Sequence, residues 1–304
     1  MNIDKSIKDK KGELLAYFRD RASESTTLIK EKYAETQADK RARAINDSLN
    51  ETKSNLLSAL LQQSEKEGWN RQERLESILM ITYCNNVVMI ESRNSLRPYE
   101  YMDFSRRVGE LWDPFCKLCF HYPINDVSLF VPPLFSEVKK RLTSEIITYI
   151  EKLNITKEQK EDLKKYYEKV WSLVTSGEIQ LELDLHFGFK GQKYVVDFKS
   201  GFGSNEKGNT NRLLLVASIY KNLEENYKCL IFVRAEENNS YFNTIKTSGV
   251  WEAYCGNEAY QKIMDYSGYN LKQWIEQNVK WENDLSAETV AHFKEYHLME
   301  YLLW

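Results

Sequence analysis

Residues 177–199 read GEIQLELDLHFGFKGQKYVVDFK, and this stretch decides the fold. From 178 to 187 the residues alternate, with Ile179, Leu181, Leu183 and Leu185 on one side and Gln180, Glu182, Asp184 and His186 on the other. A period of two is the mark of a β-strand. Gly188, Phe189, Lys190 and Gly191 supply a turn, and a second strand is predicted over 193–199. There Tyr194, Val196 and Phe198 share one face, and Lys193, Val195, Asp197 and Lys199 the other. Strands are poor in Asp, so an aspartate inside the apolar run YVVDF needs a reason. The hairpin brings Glu182 and Asp184 to the same face as Asp197 and Lys199. Carboxylates crowded in this way repel unless a positive charge lies between them. One lysine neutralises one of them, and an all-oxygen donor set suits Mg2+ better than zinc.

The surrounding chain bounds the alternatives. Its 304 residues suffice for one large domain or two small ones, and a formal net charge of −3 argues against non-specific coating of nucleic acid. A local basic cleft remains compatible with that balance. No apolar run is long enough to span a membrane, and the first residues carry no apolar segment of a secretory signal, so a cytoplasmic protein is expected. The five cysteines are an odd number, which fits free thiols in a reducing compartment. Cys116 and Cys119 form a lone C-x-x-C without a second pair, and two packed thiols are the simpler reading.

All five prolines lie within 98–133 and six of the twelve glycines within 177–208, so long helices are expected at both ends of the chain and a turn-rich segment between them. Three regions follow: a helical one over 1–97, an α/β core over 98–250 with a helical insertion at about 134–176, and a helical one over 251–304. Within the core, Pro114 is expected to bend or break a helix that carries Arg106, Arg107 and Glu110. After the hairpin come a polar loop over 200–211, a helix over 212–226 and a continuously apolar central strand over 228–234. His292 and His297, five apart, do not share a helix face and read as structural.

Asp184, twelve intervening residues and then Asp197-Phe198-Lys199, followed by a helix and a strand, resemble the signature of the PD-(D/E)XK nuclease superfamily. The resemblance covers about 60 residues, 177–234, and departs from the pattern in having Leu183 where proline commonly precedes the first acid. It implies a restriction-endonuclease-like α/β core with a central mixed sheet. It also implies a Mg2+-dependent endonuclease acting on double-stranded DNA, most like a type II restriction enzyme, that works as a homodimer. A repair, junction-resolving or phage-defence nuclease is the nearest alternative, and a non-catalytic DNA-binding protein on a degenerate nuclease fold the next. The implied roles are Asp184, Asp197 and the Phe198 backbone carbonyl as metal ligands and Lys199 beside the attacking water. Glu182 is a candidate for a second metal or a bound water. Glu110 resembles the additional acid some members place on a core helix, with Glu137 and Glu145 as rivals. Ser200, Lys207, Asn209, Asn211 and Arg212 flank the site and carry groups that reach phosphates or base edges. No phosphate-cradling G-x-x-x-x-G-K-[ST] occurs, so no nucleotide-driven motor is expected.

Overall fold

The computed structural model describes residues 3–174, 180–203, 206–223 and 226–304. Four helices open the chain: α1 (Lys11–Lys32), α2 (Ala38–Lys66), α3 (Arg71–Leu96) and α4 (Tyr101–His121). A short strand β1 (Val127–Leu129) and the helices α5 (Phe135–Lys152) and α6 (Lys157–Val174) lead to the hairpin β2 (Leu185–Phe189) and β3 (Gln192–Lys199). Then follow α7 (Lys207–Lys221), β4 (Tyr227–Val233), α8 (Ser240–Lys246) and β5 (Glu252–Cys255). Helices α9 (Gly256–Ser267), α10 (Leu271–Asn278), α11 (Trp281–Asp284) and α12 (Ala287–Glu295) close the chain.

α3 illustrates how the sequence fixes a helix. The Asn70 side chain accepts a hydrogen bond from the Glu73 backbone N–H at 2.8 Å, and the Asn70 N–H donates to the Glu73 carboxylate at 3.0 Å, which satisfies two orphan donors of the first turn. Beyond that cap the helix is apolar nearly all round, and it is buried from Ser77 through Glu91 among α1, α2 and α4. α4 runs unbroken through Pro114, where a bend or break was expected. Trp112, Phe115, Cys116 and Cys119 are buried on both sides of the proline, and that packing holds the helix despite the missing N–H.

Among the described residues the sheet has five strands in the order β1-β2-β3-β4-β5. β1, β2 and β3 are antiparallel, whereas β4 and β5 run parallel to β3. The chain is thus an α/β protein with a mixed sheet. Helices α4 and α9 cover one face through Phe187, Tyr194, Val196, Phe198 and Phe232. α7 and α8 cover the other through Val195, Ile231 and Val233. β4 is apolar without alternation because both of its faces are covered. The first core cluster runs from Ile7 to Trp304, so the terminal helices and one face of the sheet share a single apolar interior. No helix among the described residues is long and apolar enough to cross a membrane.

Several boundaries differ from the sequence reading: the region expected to be helical from 251 opens with β5, which pairs with β4 and so belongs to the sheet. The first hairpin strand begins at Leu185 rather than 178; Glu178 and Ile179 lie outside the described residues. The alternation nevertheless persists in burial, with Leu181, Leu183 and Leu185 inside and Gln180, Glu182 and Asp184 outside. The two-residue turn is Lys190-Gly191, with φ of 50° and 78°, the pair of left-handed residues that joins strands of native twist. Gly188 and Phe189 belong to β2. The helix after the hairpin spans Lys207–Lys221 instead of 212–226, so Lys207, Asn209 and Asn211 lie in its first turns and not in a loop.

Candidate active site

The hairpin register pairs Leu185 with Val196, so one step further Asp184 stands opposite Asp197. The backbone ladder stops there for a local reason. The Phe198 N–H, which a continuing strand would engage, donates instead to Asp184 Oδ2 at 2.7 Å. Asp184 is therefore pinned to the end of β3 through one oxygen. His186 fixes the segment just ahead of it: Nε2 accepts from the Leu183 N–H at 3.3 Å, which requires a neutral ring, and burial holds its pKa down at about 4.

Asp197 is 2% exposed, an extreme position for a carboxylate. Burial first, and the charge of Asp184 in addition, push its pKa up, while Lys199 and Arg212 oppose that rise. Lys199 Nζ lies 3.1 Å from Asp197 Oδ2 and Arg212 Nη2 3.6 Å from Oδ1. Lys199 is thus the one partner of buried Oδ2 among the described residues. A buried carboxylate oxygen answered by a single ammonium has capacity for a further cation or donor.

A third acid joins from the other layer. Asp113 on α4 is electrostatically coupled to both Asp184 and Asp197, and its pKa is pushed up to about 6, by burial first. Its partner is Lys117, four residues on, with Nζ 2.9 Å from Oδ1. Lys117 also lies 5.8 Å from the Phe198 ring centroid, which places it beside the same strand end. α4 approaches β3 closely here: a side chain on Gly109 would meet Ser200 Cβ at 3.0 Å. Sequence reasoning missed Asp113, Lys117 and His186. Asp113 immediately precedes Pro114, and a helix broken at that proline would have separated it from Lys117 and His121.

The other candidates are placed as follows. Glu110 pairs with Arg106 at 3.4 Å and Arg107 at 3.2 Å, half exposed, one helical turn before Asp113. Glu182 is exposed and influences Tyr220, whose hydroxyl donates to the Leu181 carbonyl at 2.7 Å. Glu137 caps α5 through the Leu134 N–H, and Glu145 pairs with Arg141 at 3.8 Å. Ser200 Oγ accepts from Arg234 Nε at 3.1 Å and Nη2 at 2.9 Å, and Arg234 also donates to the carbonyls of Tyr301 and Leu303. Lys207 and Asn211 are exposed, and Asn209 bridges Glu206 at 2.8 Å to Arg212 at 3.4 Å. Cys116 and Cys119 are buried free thiols, and His292 meets the Tyr99 carbonyl at 3.2 Å.

Among the described residues no group of three or more His, Cys, Asp or Glu side chains is arranged to hold a metal ion. Two neighbouring carboxylates and a main-chain carbonyl make an open, oxygen-only set of the kind Mg2+ takes, since that ion keeps several waters and can draw part of its shell from a phosphate. Comparison with protein-family models, with curated proteins and with solved structures returns no match.

Proposed function

We propose that this chain is a Mg2+-dependent endonuclease that hydrolyses phosphodiester bonds in double-stranded DNA. One observation carries the reading: Asp184 is held beside Asp197 at the end of the hairpin by the Phe198 N–H, 2.7 Å from its Oδ2, with Lys199 3.1 Å from Asp197 on the same strand. Asp184, Asp197 and the Phe198 carbonyl would hold the cation. When bound, Mg2+ lowers the pKa of a water and neutralises charge building on the phosphate. Lys199 holds a proton at Nζ and is placed to offer it as a hydrogen bond to a phosphate oxygen or to the attacking water. Arg212, nearly half exposed, can leave Asp197 for a second phosphate oxygen. The restriction-endonuclease-like form of the core and sequence-specific cutting are the narrower version of the same reading. Cleaving both strands takes two such sites, which a homodimer would provide.

Incubation with supercoiled plasmid and Mg2+, followed by mapping of the ends, tests it. Fixed fragments are expected from sequence-specific cutting. Lys199→Ala should lose roughly 10²-fold or more of the cleavage rate and retain DNA binding in Ca2+. Asp184→Ala and Asp197→Ala should each abolish Mg2+-dependent cleavage. Undiminished cleavage by the Lys199 variant would sink the assignment.

A further inference from the structure

Asp113, Lys117 and His121 recur every fourth residue on α4 and so form one stripe along the helix. The stripe begins at the carboxylates and ends at a cleft of about 230 Å3, lined by Arg71 and Arg74 at the start of α3, by His121, and by Asp126 ahead of β1. The two arginines differ. Arg71 Nη1 donates to the Ile124 carbonyl at 2.9 Å and pairs with Asp126 at 3.0 Å. Arg74 Nε is buried without a hydrogen-bond partner, and its guanidinium makes no ion pair among the described residues. His121 is held below its ordinary pKa by burial and by Lys117, so at neutral pH it contributes a donor and no charge. Asp126 thus answers Arg71 alone, and Arg74 keeps a buried nitrogen unsatisfied. A planar cationic fork in a cleft is suited to the oxygens of a phosphate.

We propose that this cleft binds a backbone phosphate of the DNA, flanking the one that is cut; the proposal rests on the nuclease reading. Eight residues from Asp113 to His121 span about 12 Å of helix. Phosphates of one strand follow each other at about 3.4 Å of axial rise. A duplex lying along α4 with its scissile phosphate at Lys199 therefore brings a phosphate to the cleft about three to four steps away. Such a contact sets the register of the duplex and carries no sequence information.

The test is duplex binding in Ca2+, followed by fluorescence anisotropy from about 50 to about 200 mM salt. Wild type is compared with Arg74→Ala, Arg74→Lys and, as a control, Arg21→Ala, which removes an exposed arginine paired with Glu24 on α1. Arg74→Ala should weaken binding severalfold at low salt and make the slope of log K against log salt shallower by about 1. Arg74→Lys should keep the slope, and Arg21→Ala should leave both quantities unchanged. Equal melting temperatures of wild type and Arg74→Ala exclude a folding defect. If wild type binds duplex and Arg74→Ala shows the same affinity and slope, the clasp is overturned while the nuclease reading stands. If inorganic phosphate stabilises wild type but not Arg74→Ala and the DNA slope is unmoved, the cleft takes free phosphate and the DNA assignment fails. A wild type that binds no duplex overturns the clasp and the nuclease reading together.

Discussion

At the scale of single residues the site is a problem of crowded negative charge. Asp184, Asp197 and Asp113 converge, and Lys199, Lys117 and Arg212 answer them incompletely. Asp113 gives this a measurable sign. Its folded pKa of about 6 exceeds the ordinary 3.8, so its favourable contribution is complete below about pH 3.8 and is lost as pH rises through 6. At 1.36 kcal/mol per unit the loss is at most about 3 kcal/mol, and nearer 2 kcal/mol because solvent still reaches the side chain. Asp113→Asn mimics the protonated acid and removes that dependence. In chelator, its stability relative to wild type should rise by about 2 kcal/mol between pH 4 and pH 7.5. Urea unfolding at both pH values measures it. A difference that stays flat or falls with pH would mean that Asp113 is not desolvated beside the other two acids.

At the scale of elements, the hairpin turn sets the site. Lys190 and Gly191 both have positive φ, and the register they impose puts Asp184 opposite Asp197. A side chain on Gly191 would meet nothing within 4 Å, so Gly191→Ala isolates the backbone cost, about 1 kcal/mol. Lys190→Asn, which places a better left-handed residue there, should restore part of that loss in the double variant. Thermal melting tests both effects, and a neutral Gly191→Ala would show that the turn is not held in this form. A one-residue insertion after Gly191 that shifts the pairing turns the buried residues of β3 to the wrong faces and should abolish cleavage together with a large fall in melting temperature. The hairpin was legible in sequence because alternation and glycine spacing are local signals. The place where β2 starts was not, since it depends on a side-chain oxygen of Asp184 capturing the Phe198 N–H. Asp113 was not legible for a related reason: only the packing of Trp112, Phe115 and Cys116 carries α4 through Pro114. Likewise Ser200 reads as a polar loop residue, yet its hydroxyl is committed to Arg234.

At the scale of the whole molecule, the helices at the two ends of the chain pack as core, although composition alone sets them apart as flanking regions. Trp112 donates to the Tyr260 hydroxyl at 2.8 Å, Phe104 lies 4.5 Å from Phe293, and Phe115 packs on Trp274 and Trp304 at 5.7 and 4.9 Å. Ion pairs reinforce the closure: Lys11 reaches Asp284 at 2.9 Å, Arg19 reaches Glu91 at 2.7 Å, and Tyr83 donates to Asp284 at 2.6 Å. A fragment of residues 98–250 would retain β1–β4 and all three acids but lose the edge strand β5. It would also uncover Phe104, Trp112, Phe115 and Phe187, which pack on Phe293, Tyr260, Trp274 and Tyr266, each worth about 1.5–3 kcal/mol of burial. Their sum is of order 10 kcal/mol, as large as the whole stability of an ordinary domain. The fragment should therefore be aggregated or loosely packed, with far-UV but no near-UV circular dichroism and strong dye binding. The full chain should unfold in a single transition with both signals coincident. A fragment with sharp melting and intact near-UV signal would show instead that the sheet is independent of the terminal helices, and the carboxylate cluster could then be studied without them.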